Sequence, residues 1–222
     1  MRVIVADRVF WVGPMIDLQT LMIFIPIGLA LNLTPGADML FCLGQGLKSG
    51  SRAGVAASFG ISVGSLIHSA LAGLGLAALI AANPLAFEGI RWAGVAYLVW
   101  LAFGTLHAPL AAMQPADVAR GSAFKAFRTG ILVNLTNPKV ALFILALVPQ
   151  FVDPARGPVL VQFMLFGLIL SLGGTGINGL VGAFAGKIGQ GLARKVYLAR
   201  ALQYATSLVF LGLAAKLALE RR

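Results

Sequence analysis

Six long apolar segments, separated by short polar connections, constrain this chain more than any other feature. Each is bounded by charged residues, proline or glycine, and each has about the length needed to cross the hydrocarbon core of a bilayer. A backbone in lipid must satisfy its own hydrogen bonds, and the alternating pattern of a β-barrel strand is absent, so the segments are predicted to be helices. The segments are Leu18–Leu47, Ala53–Ala82, Phe87–His107, Phe127–Val152, Val159–Ala185 and Leu198–Leu219.

The composition agrees with this prediction of an all-α membrane protein. Of the 222 residues, 59% are hydrophobic and 11% are charged, whereas a soluble domain has about a quarter charged residues. This excludes a soluble enzyme, a secreted domain and a disordered chain. The basic residues behind the net charge of +10 lie mostly in the connections between the apolar segments, which argues against nucleic-acid binding. With one cysteine (Cys42) and two histidines, no metal site, disulfide or cofactor is expected.

The basic residues predict an orientation, because short cytoplasmic loops are rich in Lys and Arg. The first, third and fifth connections are basic. The second and fourth connections together hold one basic residue, Arg156, and Arg91 lies just inside the third segment. We therefore expect the odd connections in the cytoplasm and both termini outside, although Arg221 and Arg222 argue for the opposite arrangement. The basic residues of the odd connections are Lys48, Arg52, Arg120, Lys125, Lys187, Arg194, Lys195 and Arg200.

The chain divides into four parts. Residues 1–14 are too short to span a membrane, and Asp7 and Arg8 interrupt any signal-peptide core, so this part is either an upstream extension or a functional tail. Residues 15–107 form a first repeat of three helices, 108–126 a connecting loop and 127–222 a second repeat. Because three is an odd number of crossings, the second repeat must be inverted relative to the first.

A related motif opens each repeat. The first segment contains Asn32-Leu33-Thr34-Pro35-Gly36, and the fourth contains Asn134-Leu135-Thr136-Asn137-Pro138-Lys139. Proline removes a backbone donor and clashes with the preceding turn, so both helices are predicted to break inside the membrane. Inverted-repeat transporters bind their substrates where such broken helices meet.

The breaks also predict how each helix restarts. Thr34-Pro35 and Asn137-Pro138 are both interpreted as an N-cap followed by proline at the first helical position. The amides of a restarted helix can bind an anionic group such as the carboxylate of an amino acid. We expect substrate binding by Asn32, Thr34, Pro35, Gly36, Asp38, Asn134, Thr136, Asn137, Pro138 and Lys139.

Asp38 and Lys139 are the only acid and base well inside a segment, which makes them functional candidates. Lys139 is oddly placed, because a cation at a helix N-terminus opposes the dipole. Either the two form a structural ion pair, or Lys139 and the half-helix amides bind a carboxylate while Asp38 binds an ammonium group or a coupling proton. His68 is a second candidate for proton coupling, because its charge changes near neutral pH. The alternative is that His68 only forms a hydrogen bond to a neighbouring helix. Asn178 either lines the cavity or bonds between helices.

Two GxxxG patterns lie in the apolar segments, at Gly60–Gly64 and Gly182–Gly186. Glycines four residues apart allow two helix backbones to approach closely. These glycines either pack helices closely inside one subunit or lie at the interface of a homodimer, and the sequence leaves both alternatives open.

These motifs resemble the LysE/RhtB family of bacterial amino-acid exporters. The resemblance rests on Leu31–Asp38, on Gly50-Ser51-Arg52-Ala53-Gly54, and on Asn134–Lys139 with Pro149-Gln150-Phe151-Val152. It implies a multi-pass protein of the bacterial inner membrane that exports amino acids or their derivatives in exchange for protons. The family usually has Pro-Gly-Pro at the first break, whereas this chain has Ala37 in place of the second proline, so this break is softer.

The sequence leaves two other functions open. A metal-cation exporter of a related six-helix family would need several oxygen ligands, and one aspartate is few. A membrane-embedded enzyme would need a nucleophile with a base or paired carboxylates, and no such spacing is present. The preferred prediction is a non-enzymatic secondary exporter of a small zwitterion.

Overall fold

The computed structural model describes residues 2–5, 8–11, 15–82, 86–107, 116–185 and 196–219. An antiparallel hairpin comes first, with β1 (Arg2–Val5) paired to β2 (Arg8–Trp11). Several residues used in the predictions lie outside the described residues: Asp7, residues 108–115 of the connecting loop, Gly186, Lys187, Arg194, Lys195, Arg221 and Arg222.

Eight α-helices follow in the described part of the chain. They are α1 (Leu18–Leu33), α2 (Ala37–Ser49), α3 (Ser51–Ala82), α4 (Ala86–His107), α5 (Ala123–Leu135), α6 (Pro138–Leu147), α7 (Val159–Ala183) and α8 (Val196–Leu219). Two 3-10 turns, Val148–Phe151 and Pro154–Arg156, connect α6 to α7. Helix α5 begins four residues before the predicted start of the second repeat at Phe127.

Each predicted apolar segment corresponds to one helix or to one bent helix pair. In the described residues, α3 and α7 are long and apolar enough to cross a membrane. The pairs α1–α2 and α5–α6 also qualify when each is counted as one broken span, with bends of 53° and 55°. Within α4 and α8 the stretches whose side chains are described, Trp92–His107 and Gln203–Ala215, are apolar but shorter than a span. The prediction of a helical membrane protein is therefore confirmed in its coarse form, with two to four candidate spans.

Local capping explains where several helices begin and end. The carboxylate of Asp17 accepts a hydrogen bond from the Thr20 amide at 2.7 Å and starts α1. The Ser122 hydroxyl caps α5 in the same way. Gly50 separates α2 from α3 with a φ of 90°, a conformation that side chains disfavour.

Large apolar side chains cover much of the outer surface of the helices. Such a surface would be unstable in water but suits contact with lipid chains. The chain is a multi-pass membrane protein. Examples with more than half of the side chain exposed are Leu18, Met22, Leu71, Trp100, Leu132, Leu172 and Leu208.

Aromatic residues fill the interior between α1, α6 and α7. Phe24, Phe143 and Phe166 are fully buried. The ring of Phe24 lies 4.6 Å from that of Phe166 and 5.2 Å from that of Phe151, measured between centroids. These edge and tilted contacts stabilise the packing of α1 on α7.

Glycines allow the close approach of helices around α3. A Cβ atom on Gly60 would overlap the backbone oxygen of Phe127 on α5, and one on Gly64 would lie 2.8 Å from Cβ of Asn134. The Gly60–Gly64 pattern therefore packs against α5 inside the subunit. Gly182 of α7 packs against Gly54 of α3: a Cβ atom added to Gly182 would lie 2.8 Å from the Cα atom of Gly54.

Ion pairs link the loops between helices to the ends of helices. Arg156 pairs with Asp17 and, at 3.2 Å, with Asp153. Lys48 at the end of α2 pairs with Asp117 of the connecting loop. The Thr20 amide and then the Arg156 guanidinium lower the pKa of Asp17 from 3.8 to about 2.

Replacing Gly60 by alanine is expected to separate α3 from α5, because the new methyl group overlaps the backbone of Phe127. The stability should fall by about 1–3 kcal/mol, as for overpacked cores. Gly75→Ala on the same helix is the matched control, since a Cβ atom there has nothing within 4 Å. Thermal unfolding in detergent measures both, and equal unfolding temperatures would contradict this packing.

The Asp17 contacts are expected to make stability depend on pH in the acid range. Because the pKa is lowered in the folded protein, the stabilisation is fully present above about pH 4 and is lost as the pH falls towards about 2. The difference in unfolding temperature between the wild type and Asp17→Ala should shrink over this range. A constant difference would contradict the assignment.

Candidate functional site

The first break consists of residues 34–36, between α1 and α2. Both the amide and the hydroxyl of Thr34 donate to the Ala30 carbonyl, at 3.0 and 2.7 Å. In a continuous helix the next carbonyl, that of Leu31, would accept from the amide of residue 35. Pro35 has no N–H, so the Leu31 oxygen needs another donor.

One predicted detail of this break is wrong. Thr34 is the C-cap of α1 rather than the N-cap of α2, and Pro35 lies in the linker rather than at a first helical position. The N-cap of α2 is Gly36, which provides no side-chain hydrogen bond. The physical reason is that the Thr34 hydroxyl bonds back to its own helix, which ends α1 instead of starting α2.

The second break consists of residues 136 and 137, between α5 and α6, and here the predicted cap is confirmed. The Asn137 side chain accepts from the Lys139 amide at 3.0 Å, and Pro138 occupies the first helical position. The Thr136 hydroxyl bonds to the Leu132 carbonyl at 2.9 Å and is exposed. Asn137 is 5% exposed, so it, and not Thr136, is directed into the protein.

The Lys139 side chain crosses from the second break to the first. Its ammonium group donates to the carbonyls of Leu31 at 3.2 Å and Thr34 at 2.9 Å. The predicted conflict with the helix dipole is thus resolved by the C-terminal end of α1, where a cation is favoured. Among the described ion pairs there is none between Asp38 and Lys139 within 4.0 Å. The Tyr97 hydroxyl donates to the Lys139 carbonyl at 2.7 Å.

Asp38 lies in the first turn of α2 and is 7% exposed. Its Oδ2 accepts from Nδ2 of Asn134 at 2.9 Å. The backbone oxygen of Asn134 is the carbonyl that Pro138 cannot bond; it accepts from the Asn137 amide at 2.9 Å and also lies 3.2 Å from Nε2 of His68. Because a carbonyl can only accept, Nε2 carries the proton in this contact.

Four buried polar atoms in the described residues have no hydrogen-bond partner: Asp38 Oδ1, Asn134 Oδ1, Asn137 Nδ2 and Asn178 Oδ1. Native proteins rarely leave such atoms unpaired, and a bound ligand is one explanation for atoms of this kind. Three of the four belong to residues at or beside the two breaks. The set contains both acceptors and a donor.

A small cavity lies beside the two breaks. It has a volume of about 20 Å³, which is room for about one water molecule. Predicted residues line it together with serines that the prediction missed. The polar lining is Asn32, Asp38, Ser62, Ser65, Asn134 and Ser171.

The missed serines do leave a signal in the sequence. Four serines recur on one face of α3 at helical spacing, and all four are buried. Ser62 donates to the Ser171 carbonyl at 3.1 Å and Ser171 to the Ser62 carbonyl at 3.2 Å, which joins α3 to α7. The four are Ser58, Ser62, Ser65 and Ser69.

Other predicted residues are less central. Asn32 lines the cavity but donates to the Leu170 carbonyl at 3.1 Å. Pro138 is exposed, as is Thr136. His68 also faces a mostly apolar crevice of about 580 Å³, which holds no other predicted site residue. Asn178 is buried on α7.

The chain is similar to known membrane proteins. It is 37% identical to a membrane protein of Vibrio cholerae over 142 residues, 63% of this chain and 68% of that protein. It is 38% identical to the homoserine/homoserine lactone efflux protein of Salmonella typhimurium over 138 residues, 62% of this chain and 66% of that protein. No solved structure matches the chain.

The profile described as LysE type translocator matches residues 29–221. This match covers both breaks and every predicted site residue. It confirms the resemblance inferred from the motifs, and it confirms a transporter rather than an enzyme. The chain belongs to the LysE type translocator family.

Proposed function

We propose that the protein is a secondary active exporter of small amino acids or their derivatives, with the binding site at the two breaks. The observation that carries this proposal is the set of unpartnered buried atoms from both broken helices. Asp38 Oδ1 and Asn134 Oδ1 are acceptors, whereas Asn137 Nδ2 is a donor. A zwitterion presents the complementary groups, since its ammonium donates and its carboxylate accepts.

The site residues divide between the two ends of the substrate. Asp38 and Asn134 bind the ammonium group, and the Asp38 charge makes this the stronger contact. Asn137 binds the carboxylate. An ammonium has three donors, and Lys139 uses two on α1, so the third and its charge are available for the carboxylate. The uncapped amides at Gly36 support the same anion.

Homoserine is the substrate class that the relatives support best. The similar Salmonella typhimurium protein is a homoserine/homoserine lactone efflux protein. Ser62 and Ser65 line the cavity and can bond a substrate hydroxyl, which would favour a hydroxylated amino acid over an apolar one.

The transport cycle follows from the size of the cavity. A space for one water molecule cannot hold an amino acid, so the breaks must open towards one side and then the other. We propose six crossings in two inverted repeats, residues 15–107 and 127–222, joined by 108–126, with odd connections in the cytoplasm of the bacterial cell and the protein in the inner membrane. Residues 1–14 stay outside this unit, and a homodimer is compatible with it.

Protons are the proposed coupling ion. Asp38 is the acid at the site, and proton binding there would compete with the substrate ammonium. His68 is connected to Asp38 through Asn134, whose backbone bonds His68 and whose side chain bonds Asp38. This arrangement gives His68 a route to influence the Asp38 carboxylate.

Asp38→Asn is expected to lower homoserine export about tenfold to a hundredfold, the range for a lost charged hydrogen bond. The amide oxygen can still accept from Asn134, so the fold is preserved. Efflux of labelled homoserine from proteoliposomes with an imposed pH gradient measures the effect.

Asp117→Asn is the matched control, because Asp117 is an exposed aspartate on the connecting loop. It should export at a rate close to that of the wild type. Wild-type export by Asp38→Asn would remove the proposed ammonium contact, and no export of any amino acid by the wild type would reject the proposed function.

Pro138→Ala is expected to reduce export, because alanine restores an amide that can bond the Asn134 carbonyl and straighten α5 and α6. The new amide would compete for that oxygen with the Asn137 amide and with His68, which both contact it in the wild type. Pro26→Ala is the control, since Pro26 lies inside α1 without ending it. Equal export by the two variants in the same proteoliposome assay would show that the break is not needed.

A further inference from the structure

We infer that the end of α1 is a binding site for a primary ammonium group, and that the Lys139 side chain is its permanent, tethered occupant. The inference goes beyond the proposed function, which concerns the substrate. It assigns to the protein a cation site made of two backbone oxygens of the first break, which are not contacts of the transported molecule, while the third donor of Lys139 remains available for the substrate carboxylate.

The first element of the site is the Leu31 carbonyl. Pro35 cannot supply the amide that would bond this oxygen in a continuous helix. The Lys139 ammonium lies 3.2 Å from it and so stands in place of the missing N–H. The site therefore exists because a proline follows four residues after Leu31.

The second element is the Thr34 carbonyl, which lies 2.9 Å from the same nitrogen. Both distances are those of N–H···O hydrogen bonds. The two oxygens lie at the C-terminal end of α1, where the helix dipole favours a positive charge.

The third element is the space left by Gly36. A Cβ atom at this position would lie 3.1 Å from Nζ and 3.4 Å from Cε of Lys139. These approaches are close enough that a side chain at residue 36 would crowd the ammonium group. The backbone around the first break thus provides two acceptors and room for one small cation.

A tethered cation has a functional consequence. Because Lys139 belongs to α6, the site joins the two broken helices without any ion from solution. Wild-type transport should then be independent of ammonium ions in the medium, whereas a chain without the Lys139 side chain should gain a requirement for one.

The direct test uses Lys139→Ala, which removes three methylene groups and the nitrogen. n-Propylammonium carries the same atoms, and its addition should raise the unfolding temperature of the purified variant by a saturable ~2–4 °C. Tetramethylammonium, which has no N–H, and KCl at equal ionic strength should give no such rise. The wild type should respond less than the variant, because Lys139 fills this site and only the Asp38 contact of the proposed function is open to propylammonium.

A response of equal size to all three salts, or an equal response of the wild type, would overturn the inference. So would the absence of any response to propylammonium in a folded Lys139→Ala variant.

A second test remains decisive if Lys139→Ala folds poorly. Pro35→Ala gives residue 35 an amide that can bond the Leu31 carbonyl, so the loss of Lys139 should cost less in this background. The double variant should therefore unfold at a higher temperature than additive effects predict. Strict additivity of the two changes would overturn the replacement of the proline amide by Lys139.

Transport gives an independent readout. Lys139→Ala should export about tenfold less than the wild type, and propylammonium at equal concentration on both sides should restore part of the rate. If the wild type exports no amino acid, the proposed function fails, but the unfolding experiments still decide whether the cation site exists.

Discussion

Two helix breaks, each made by a proline, organise the centre of this protein. Each proline removes the amide that would bond the carbonyl four residues earlier in a continuous helix, and that carbonyl needs another donor. The Leu31 oxygen accepts from Lys139 of the other broken helix, whereas the Asn134 oxygen accepts from the Asn137 amide at 2.9 Å and from His68 of α3. The two breaks are therefore not independent defects. Each one is stabilised by a basic side chain from another helix, and both meet at Asp38.

The surrounding helices can hold this arrangement because their contact faces carry small residues. Gly54, Gly60 and Gly182 bring backbones into contact, and buried serines exchange hydrogen bonds between α3 and α7. Lipid gives little hydrophobic drive for helices to associate, so van der Waals contact and such bonds must provide it. The same faces leave a cavity for about one water molecule beside Asp38 and Asn134. In the proposed transport cycle, a structure packed this closely is a closed state of the site, and movement at the breaks opens it.

A comparison of Pro26, which lies inside α1, with Pro35, which lies just after it, shows where sequence reasoning stops. Pro26 lies inside the helix without ending it, whereas α1 ends just before Pro35. The local sequence differs in that Gly36 follows Pro35, and the Thr34 hydroxyl bonds back to Ala30. The motif predicted a break at Thr34-Pro35 and a new helix with Pro35 at its first position. The break is present, but the restart begins at Ala37, because the freed carbonyls of α1 are satisfied from α6 rather than by the local chain.

The sequence by itself determined the helical membrane character, the positions of the apolar segments, the two breaks and the family, and it made Asp38 and Lys139 candidates for the site. These follow from local physics, because hydropathy, proline and buried charge act through the residue and its immediate neighbours. Only the tertiary structure decided the partners. It paired Asp38 with Asn134, paired Lys139 with carbonyl oxygens at the end of α1, and brought serines of α3 into the cavity that Asp38 lines. Such contacts join residues about a hundred positions apart, and they depend on how whole helices pack, which no local pattern specifies.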